Sequence, residues 1–198
     1  SHARHIVTIE DPIEVLYADR EAIVSQREVG SDTAHVADAL RRIARQDADV
    51  VLVSDLPDAD AVREALAAAA AGRLVIAVLN TLSATDTVNW MIDRFPPHQQ
   101  GSARSLLGRV LRGVICQRLV DRADGRGRVA VVESLVGTHK VRDAIIDGAD
   151  PSVLERLMSE GEYHGMATFD QALFHLFSEE YVSLDEALER AVHPEDFR

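Results

Sequence analysis

Short apolar runs that alternate with helix-like segments constrain the fold of this chain more than any other feature. The runs lie at residues 6–9, 50–53 and 74–79, and the last two are apolar at every position. Such runs are typical of strands buried between two helical layers. Between them, residues 36–43 have apolar side chains at helical spacing, and the Ala-rich stretch 58–71 ends before Gly72. The alternation predicts an α/β fold with a parallel sheet and right-handed crossovers.

The remaining patterns divide the chain into two predicted parts. Residues 22–26 are a further candidate strand, and a helix from about Ala84 must end near Pro96 and Pro97. An amphipathic helix is then predicted from a stripe that includes Leu106, Leu107, Val110, Leu111, Val114 and Ile115. Asp124-Gly125-Arg126-Gly127 predicts a hairpin turn before a strand at 129–132. From Thr138 onward only i, i+4 apolar pairs recur. We therefore expect an α/β core over residues 1–137 and a helical subdomain over residues 138–198.

Composition and charge exclude several classes of function. With 33 acidic against 21 basic residues the formal net charge is −12, which disfavours nucleic acid as a main partner. No apolar run approaches the roughly 20 residues of a membrane span. The single cysteine, Cys116, lies in the apolar stripe predicted to be helical; it excludes an internal disulfide and suits a reducing cytoplasm. Since the chain begins with Ser1, we expect a piece of a longer protein or a few residues left from a vector.

Two of the apolar runs end in acidic residues. Residues 6–9 are followed by Glu10, Asp11 and Glu14, and residues 50–53 by Ser54 and Asp55. Ligands bind at the carboxyl ends of parallel strands, where carboxylates can hold Mg²⁺ or orient a water against a phosphate. An apolar strand that ends in an acid also follows the logic of a Walker B element. On spacing alone, a charged surface turn explains the first cluster equally well.

Several segments together resemble the secretion and pilus ATPase superfamily, and within it the PilT-like twitching-motility branch. They are TIEDPIE (8–14), SQREVG (25–30), DADVVLVSD (47–55), GRLVIAVLNTLSA (72–84) and DRFP (93–96). VRDAIIDG (141–148), GMATFD (165–170) and AVHPEDF (191–197) continue the resemblance to the end of the chain. The resemblance implies a partial RecA-like P-loop NTPase core with a C-terminal helical subdomain.

The resemblance also implies a function and a set of site residues. It implies an ATP- and Mg²⁺-dependent motor that drives type IV pilus retraction, or a related secretion system, as a homo-oligomer, a hexamer in this family. It identifies TIEDPIE as the Asp box, whose last residue, Glu14, is the base for the attacking water. It assigns catalysis to Glu14 and Asp55, nucleotide binding to Glu10, Asp11, Asn80 and Arg27, and metal binding to Asp55 and Asp11. The implied location is the cytoplasmic face of the inner membrane, beside the pilus platform protein and without insertion into the membrane.

The chain also departs from the family pattern at several catalytic motifs. The family's Walker A loop precedes the Asp box, and residues 1–198 contain no Gly-x-x-x-x-Gly-Lys-Ser/Thr sequence. Asp55 and Pro57 replace a glutamate and an arginine of the Walker B motif, and Arg73 and Asn80 replace the two histidines of the His box. A further arginine of the family is replaced by Trp90. These changes leave open an alternative: a degenerate, non-hydrolysing ring subunit or regulator.

Overall fold

The computed structural model describes residues 3–43 and 45–197, except for the side chain of Asp196. The strands are β1 (His5–Glu10), β2 (Ile23–Glu28), β3 (Val50–Val53), β4 (Leu74–Ala77), β5 (Gly113–Asp121) and β6 (Arg128–Val136). The α-helices are α1 (Val36–Ile43), α2 (Ala59–Ala70), α3 (Ala84–Asp93), α4 (Pro97–Val110), α5 (His139–Asp147), α6 (Pro151–Ser159), α7 (Phe169–Ser178) and α8 (Leu184–Arg190). Two short 3₁₀ helices lie at Glu162–His164 and Pro194–Phe197. The chain forms two compact units: unit 1 from Ser1–Asn80 and Met91–Val110, and unit 2 from Thr81–Trp90 and Leu111–Arg198.

Unit 1 is built on a four-stranded sheet in the order β2-β1-β3-β4, with every neighbouring pair parallel. This confirms the predicted α/β class. Val7 and Ile9 of β1 and Val51 and Val53 of β3 are fully buried, and they form the centre of the core. Helix α2 begins at the N-cap Asp58, whose carboxylate accepts a hydrogen bond from the Ala61 N–H at 2.8 Å.

Strand β4 differs from its prediction. A run as apolar as residues 74–79 predicts burial on both faces, yet Leu74 and Ile76 are 51% and 45% exposed. Within the described part of the chain, β4 pairs with β3 on one side only. The prediction of a fully buried strand is wrong here because burial depends on what lies beside a strand, which its own sequence does not determine.

Unit 2 combines an antiparallel β5–β6 hairpin with the C-terminal helices. Val120 of β5 and Val131 of β6 share a core with Phe169 and Leu173 of α7. The predicted turn is present, with the Arg122 N–H donating to the Gly127 carbonyl at 3.0 Å. The hairpin and these helices therefore belong to one compact unit. None of the described helices is both long and apolar enough to cross a membrane.

The predicted helix over residues 106–115 is correct only in its first part. Helix α4 ends at Val110, and Val114, Ile115 and Cys116 lie in β5. Beyond Gly113 burial alternates from residue to residue, with Ile115 exposed and Cys116 buried. The apolar residues 111, 114 and 115 have helical spacing, yet Val114 and Ile115 pair with β6 and form a strand.

Candidate functional site

The segments that follow β1, β3 and β4 leave the sheet of unit 1 at the same edge. Ile9 is paired with Val53, and Val53 with Ala77, so the carboxyl ends of the three strands are level. A further link joins the first two segments, because the Asp11 N–H donates to Ser54 Oγ at 3.1 Å. This edge is where parallel sheets bind ligands.

Glu10 is the half-buried member of the acidic cluster and is firmly held. Its Oε1 accepts hydrogen bonds from the Thr8 hydroxyl at 2.5 Å and from Gln26 Nε2 at 2.9 Å. Thr8 lies two residues earlier on the same face of β1, and Gln26 lies opposite Thr8 on β2. These bonds fix the Glu10 carboxylate against the sheet.

The other predicted carboxylates are exposed to solvent. Asp11 and Glu14 follow β1, and Asp55 follows β3 after Ser54; all three side chains are exposed. Exposure and hard oxygen atoms suit contact with an incoming metal-bound phosphate or a water. Among the described residues, however, no group of three His, Cys, Asp or Glu is arranged to hold a metal ion. The pair Asp11 and Asp55 therefore fits Mg²⁺ only as a partial ligand set, with phosphate and water supplying the remaining ligands.

Asn80 and Arg27 have different surroundings. Asn80 is exposed and follows β4 at the same edge as the carboxylates. The Arg27 Nη2 donates to Gln46 Oε1 at 3.0 Å, in the segment between α1 and β3. The side chain of Arg27 is thus held by a residue that precedes β3, whereas the carboxylates follow β1 and β3.

The two positions that replace the family's histidines lie at opposite ends of β4. Arg73 precedes the strand and Asn80 follows it, so a separation on the order of 20 Å is expected at about 3.3 Å per residue. The Arg73 Nη2 donates to the Gln46 carbonyl at 3.3 Å. Within unit 1 these two residues therefore lie at opposite edges of the sheet, Arg73 at the amino ends of the strands and Asn80 at the carboxyl ends.

Sequence reasoning missed the polar residues that order the acidic segment. Gln26 and Glu28 on β2 and Ser54 after β3 bond to residues 10, 11, 13, 15 and 17. The sequence held one indication of this role: Gln26 and Glu28 are two positions apart on β2, which places both polar side chains on the same face of the sheet.

The chain is similar to proteins that power pili and secretion systems. A family model described as type II/IV secretion system protein matches residues 1–145. The type IV pilus retraction ATPase PilT of Pseudomonas aeruginosa is 38% identical over 193 residues, which cover 98% of this chain and 56% of that protein. A crystal structure of the pilus retraction motor PilT with bound ADP superposes with a TM-score of 0.84 and 38% identity, covering 98% of this chain and 54% of that one. The Legionella pneumophila ATPase DotB gives a TM-score of 0.80 at 27% identity, covering 93% and 50% of the two chains.

Proposed function

Because the chain belongs to the type II/IV secretion system protein family, we propose that it is the nucleotide-hydrolysing part of a pilus-retraction or related secretion motor. It spans 56% of the length of the Pseudomonas ATPase that it resembles, so the activity of the whole motor is part of the proposal. The observation that carries the proposal is the position of the carboxylates. Glu10, Asp11 and Glu14 lie at the carboxyl edge of the parallel sheet, where β3 also ends in Ser54 and Asp55.

In this proposal Glu14 is the base for the attacking water. Its carboxylate is exposed in a loop directly beyond β1, where it can accept a proton from a water within hydrogen-bond distance. Glu10 and Asn80 at the same edge, with Arg27 on β2, contribute to nucleotide binding. Because Arg27 is bonded to Gln46, its part in this binding requires that bond to be exchanged for one to the nucleotide.

Asp11 and Asp55 are the residues that would hold Mg²⁺ beside the phosphates of ATP. The ion, when bound, neutralises charge on the phosphate oxygens. The contribution of the chain itself is placement: the Ser54 Oγ, bonded to the Asp11 N–H at 3.1 Å, keeps the segments that carry the two carboxylates together.

The proposal extends to assembly and location. The chain would act as a subunit of a homo-hexameric ring at the cytoplasmic face of the inner membrane, against the platform protein of the pilus. The names of the relatives, a pilus retraction ATPase and a retraction motor, support the link to a pilus.

A second candidate function is a ring subunit that does not hydrolyse ATP. Asp55 is one methylene shorter than the glutamate expected there, and a displacement of about 1 Å in a positioned group costs on the order of a hundredfold in rate. Arg73 lies before the start of β4, where its guanidinium donates to the Gln46 carbonyl. It therefore does not replace the titrating histidine of the family beside Asn80, at the other end of the strand.

Phosphate release by the full-length gene product tests the proposal. We expect steady ATP hydrolysis that Glu14→Gln lowers by about a hundredfold or more, to a rate that can still be measured. The matched control Glu155→Gln, which changes an exposed glutamate of α6, should retain the full rate. Residues 1–198 alone should not turn over ATP, since phosphoryl transfer depends on the Walker A backbone and lysine. Hydrolysis by the 198-residue chain that Glu14→Gln stops would contradict this expectation. Absence of turnover in the full-length protein would favour the non-hydrolysing subunit.

A further inference from the structure

The loop that carries Glu14 is tied to β2 on both sides of this residue. On the N-terminal side, the Ile13 N–H donates to Glu28 Oε2 at 3.1 Å. On the C-terminal side, the Tyr17 N–H donates to Gln26 Oε1 at 2.8 Å, and Gln26 Nε2 donates to the Val15 carbonyl at 2.9 Å. Glu14 therefore lies in a short stretch whose backbone is anchored before and after it.

Gln26 makes more of these contacts than any other side chain in the anchor. Besides its bonds to residues 15 and 17, its Nε2 donates to Glu10 Oε1 at 2.9 Å. A single amide group thus joins the end of β1 to the far side of the loop. To make all three bonds, the side chain needs a hydrogen-bond donor and an acceptor on the same planar group. Glutamine has both, and glutamate and methionine do not.

Apolar burial contributes little to the order of this loop. Val15, Leu16 and Tyr17 are 55%, 84% and 58% exposed, so more than half of the surface of each residue stays in contact with water. Hydrogen bonds from β2 are then the main forces that restrict residues 13–17. Loss of the Gln26 amide should release the loop without disturbing the buried strands.

We propose that Gln26 is a positioning residue that sets the Glu14 carboxylate for its reaction with water. The inference rests on the proposed function, because it assigns Gln26 a part in the same hydrolysis. Gln26 does not touch the nucleotide in this role; it acts through the backbone of the loop and through Glu10. Glu28 supports the N-terminal side in the same way, and its own carboxylate is held by the Ser31 hydroxyl at 3.0 Å.

Amide exchange in the 198-residue chain tests the anchor itself. We expect Gln26→Met to speed solvent exchange of the Tyr17 amide by about three- to tenfold, the range expected for loss of one hydrogen bond. NMR solvent-exchange measurements on the millisecond scale would read this amide. The matched control Gln117→Met changes an exposed glutamine of β5 and should leave Tyr17 unaffected. An unchanged Tyr17 rate in Gln26→Met would overturn the inference.

A kinetic double-mutant cycle in the full-length gene product tests the positioning role. Gln26→Met should lower kcat roughly ten- to a hundredfold. The KM for ATP should be nearly unchanged, because Glu10 keeps its hydrogen bond from the Thr8 hydroxyl. In the Glu14→Gln background the same change should cause no further loss, because the group that it positions is gone. Equal losses of rate in both backgrounds, together with a lower melting temperature, would show a merely structural role and overturn the inference.

The outcomes separate this inference from the proposed function. If the wild-type protein turns over ATP and Glu14→Gln lowers the rate as expected, but Gln26→Met retains the full kcat, the positioning role is refuted and the proposed function stands. If the wild-type protein shows no turnover, both the proposed function and the positioning role are refuted. The Tyr17 exchange rate would then still show whether Gln26 holds the loop.

Discussion

Replacing Glu133 by alanine removes a buried carboxylate that joins the first turns of two helices in unit 2. Glu133 lies on β6 and is 6% exposed. Its Oε1 accepts a hydrogen bond from the Ala84 N–H at 2.6 Å, and its Oε2 accepts one from the Phe169 N–H at 3.1 Å. Ala84 and Phe169 begin α3 and α7, so their N–H groups have no partner within their own helices.

The expected loss of stability follows from these two bonds. A buried N–H left without a partner costs about 1–3 kcal/mol, and a carboxylate at a helix N-terminus adds about 0.3–1 kcal/mol for each helix. Allowing for water that enters the vacated space, we expect Glu133→Ala to reduce the free energy of unfolding by about 3–5 kcal/mol, a large part of the 5–15 kcal/mol typical of a domain. Glu133→Gln keeps the volume but turns an NH₂ group toward one N–H donor, so a loss of about 1–3 kcal/mol is expected.

Urea unfolding followed by tryptophan fluorescence would measure these losses. The chain has one tryptophan, Trp90, which belongs to unit 2 together with Glu133. The matched control Glu155→Ala changes an exposed glutamate of α6 and should stay within about 0.5 kcal/mol of the wild type. A Glu133→Ala variant as stable as this control, or a Glu133→Gln variant as stable as the wild type, would refute the reasoning.

Three further expectations concern pH, capping and thiol reactivity. The hydrogen bond from Arg122, aided by the Arg126 N–H, lowers the pKa of Asp124 to about 2. The stabilisation that Asp124 provides is therefore present above its unfolded pKa of about 3.9 and is lost as pH falls toward 2. Thermal melts of wild type and Asp124→Asn should differ at pH 7 and converge near pH 2, and a difference independent of pH would contradict this. Thr168 and Gln171 form a capping box at the start of α7, so Thr168→Ala should lower the free energy of unfolding in urea by about 1 kcal/mol. Thr168→Ser keeps the hydroxyl and should retain most of that stability. Equal losses in both variants would argue against the box. Burial raises the pKa of the Cys116 thiol, so an aromatic disulfide reagent at pH 8 should react about tenfold or more slowly with the native chain than with the chain in guanidinium. Equal rates would show that the thiol is accessible.

Local pattern was sufficient for much of the fold and for the family. The apolar runs before Glu10 and before Ser54 predicted β1 and β3, and the parallel α/β class is confirmed. The resemblance carried by TIEDPIE, DADVVLVSD and the later motifs is confirmed by the family match over residues 1–145 and by 38% identity to PilT. The roles of Glu14, Asp55 and the other site residues stay predictions, and so does the boundary at residue 137.

The sequence by itself determined the type and order of most elements, because period, caps and turn residues act over a few neighbouring positions. Tertiary structure decided which apolar runs are buried: β4 is as apolar as β3, yet Ile76 at the edge of the sheet is 45% exposed. It also decided that residues 113–116 form a strand, since β6 supplies the pairing. Gln26 and Glu133 owe their importance to partners distant in sequence, with Glu133 separated from Ala84 by 49 positions. A hydrogen bond between such residues depends on how the whole chain packs, so no local pattern can encode it.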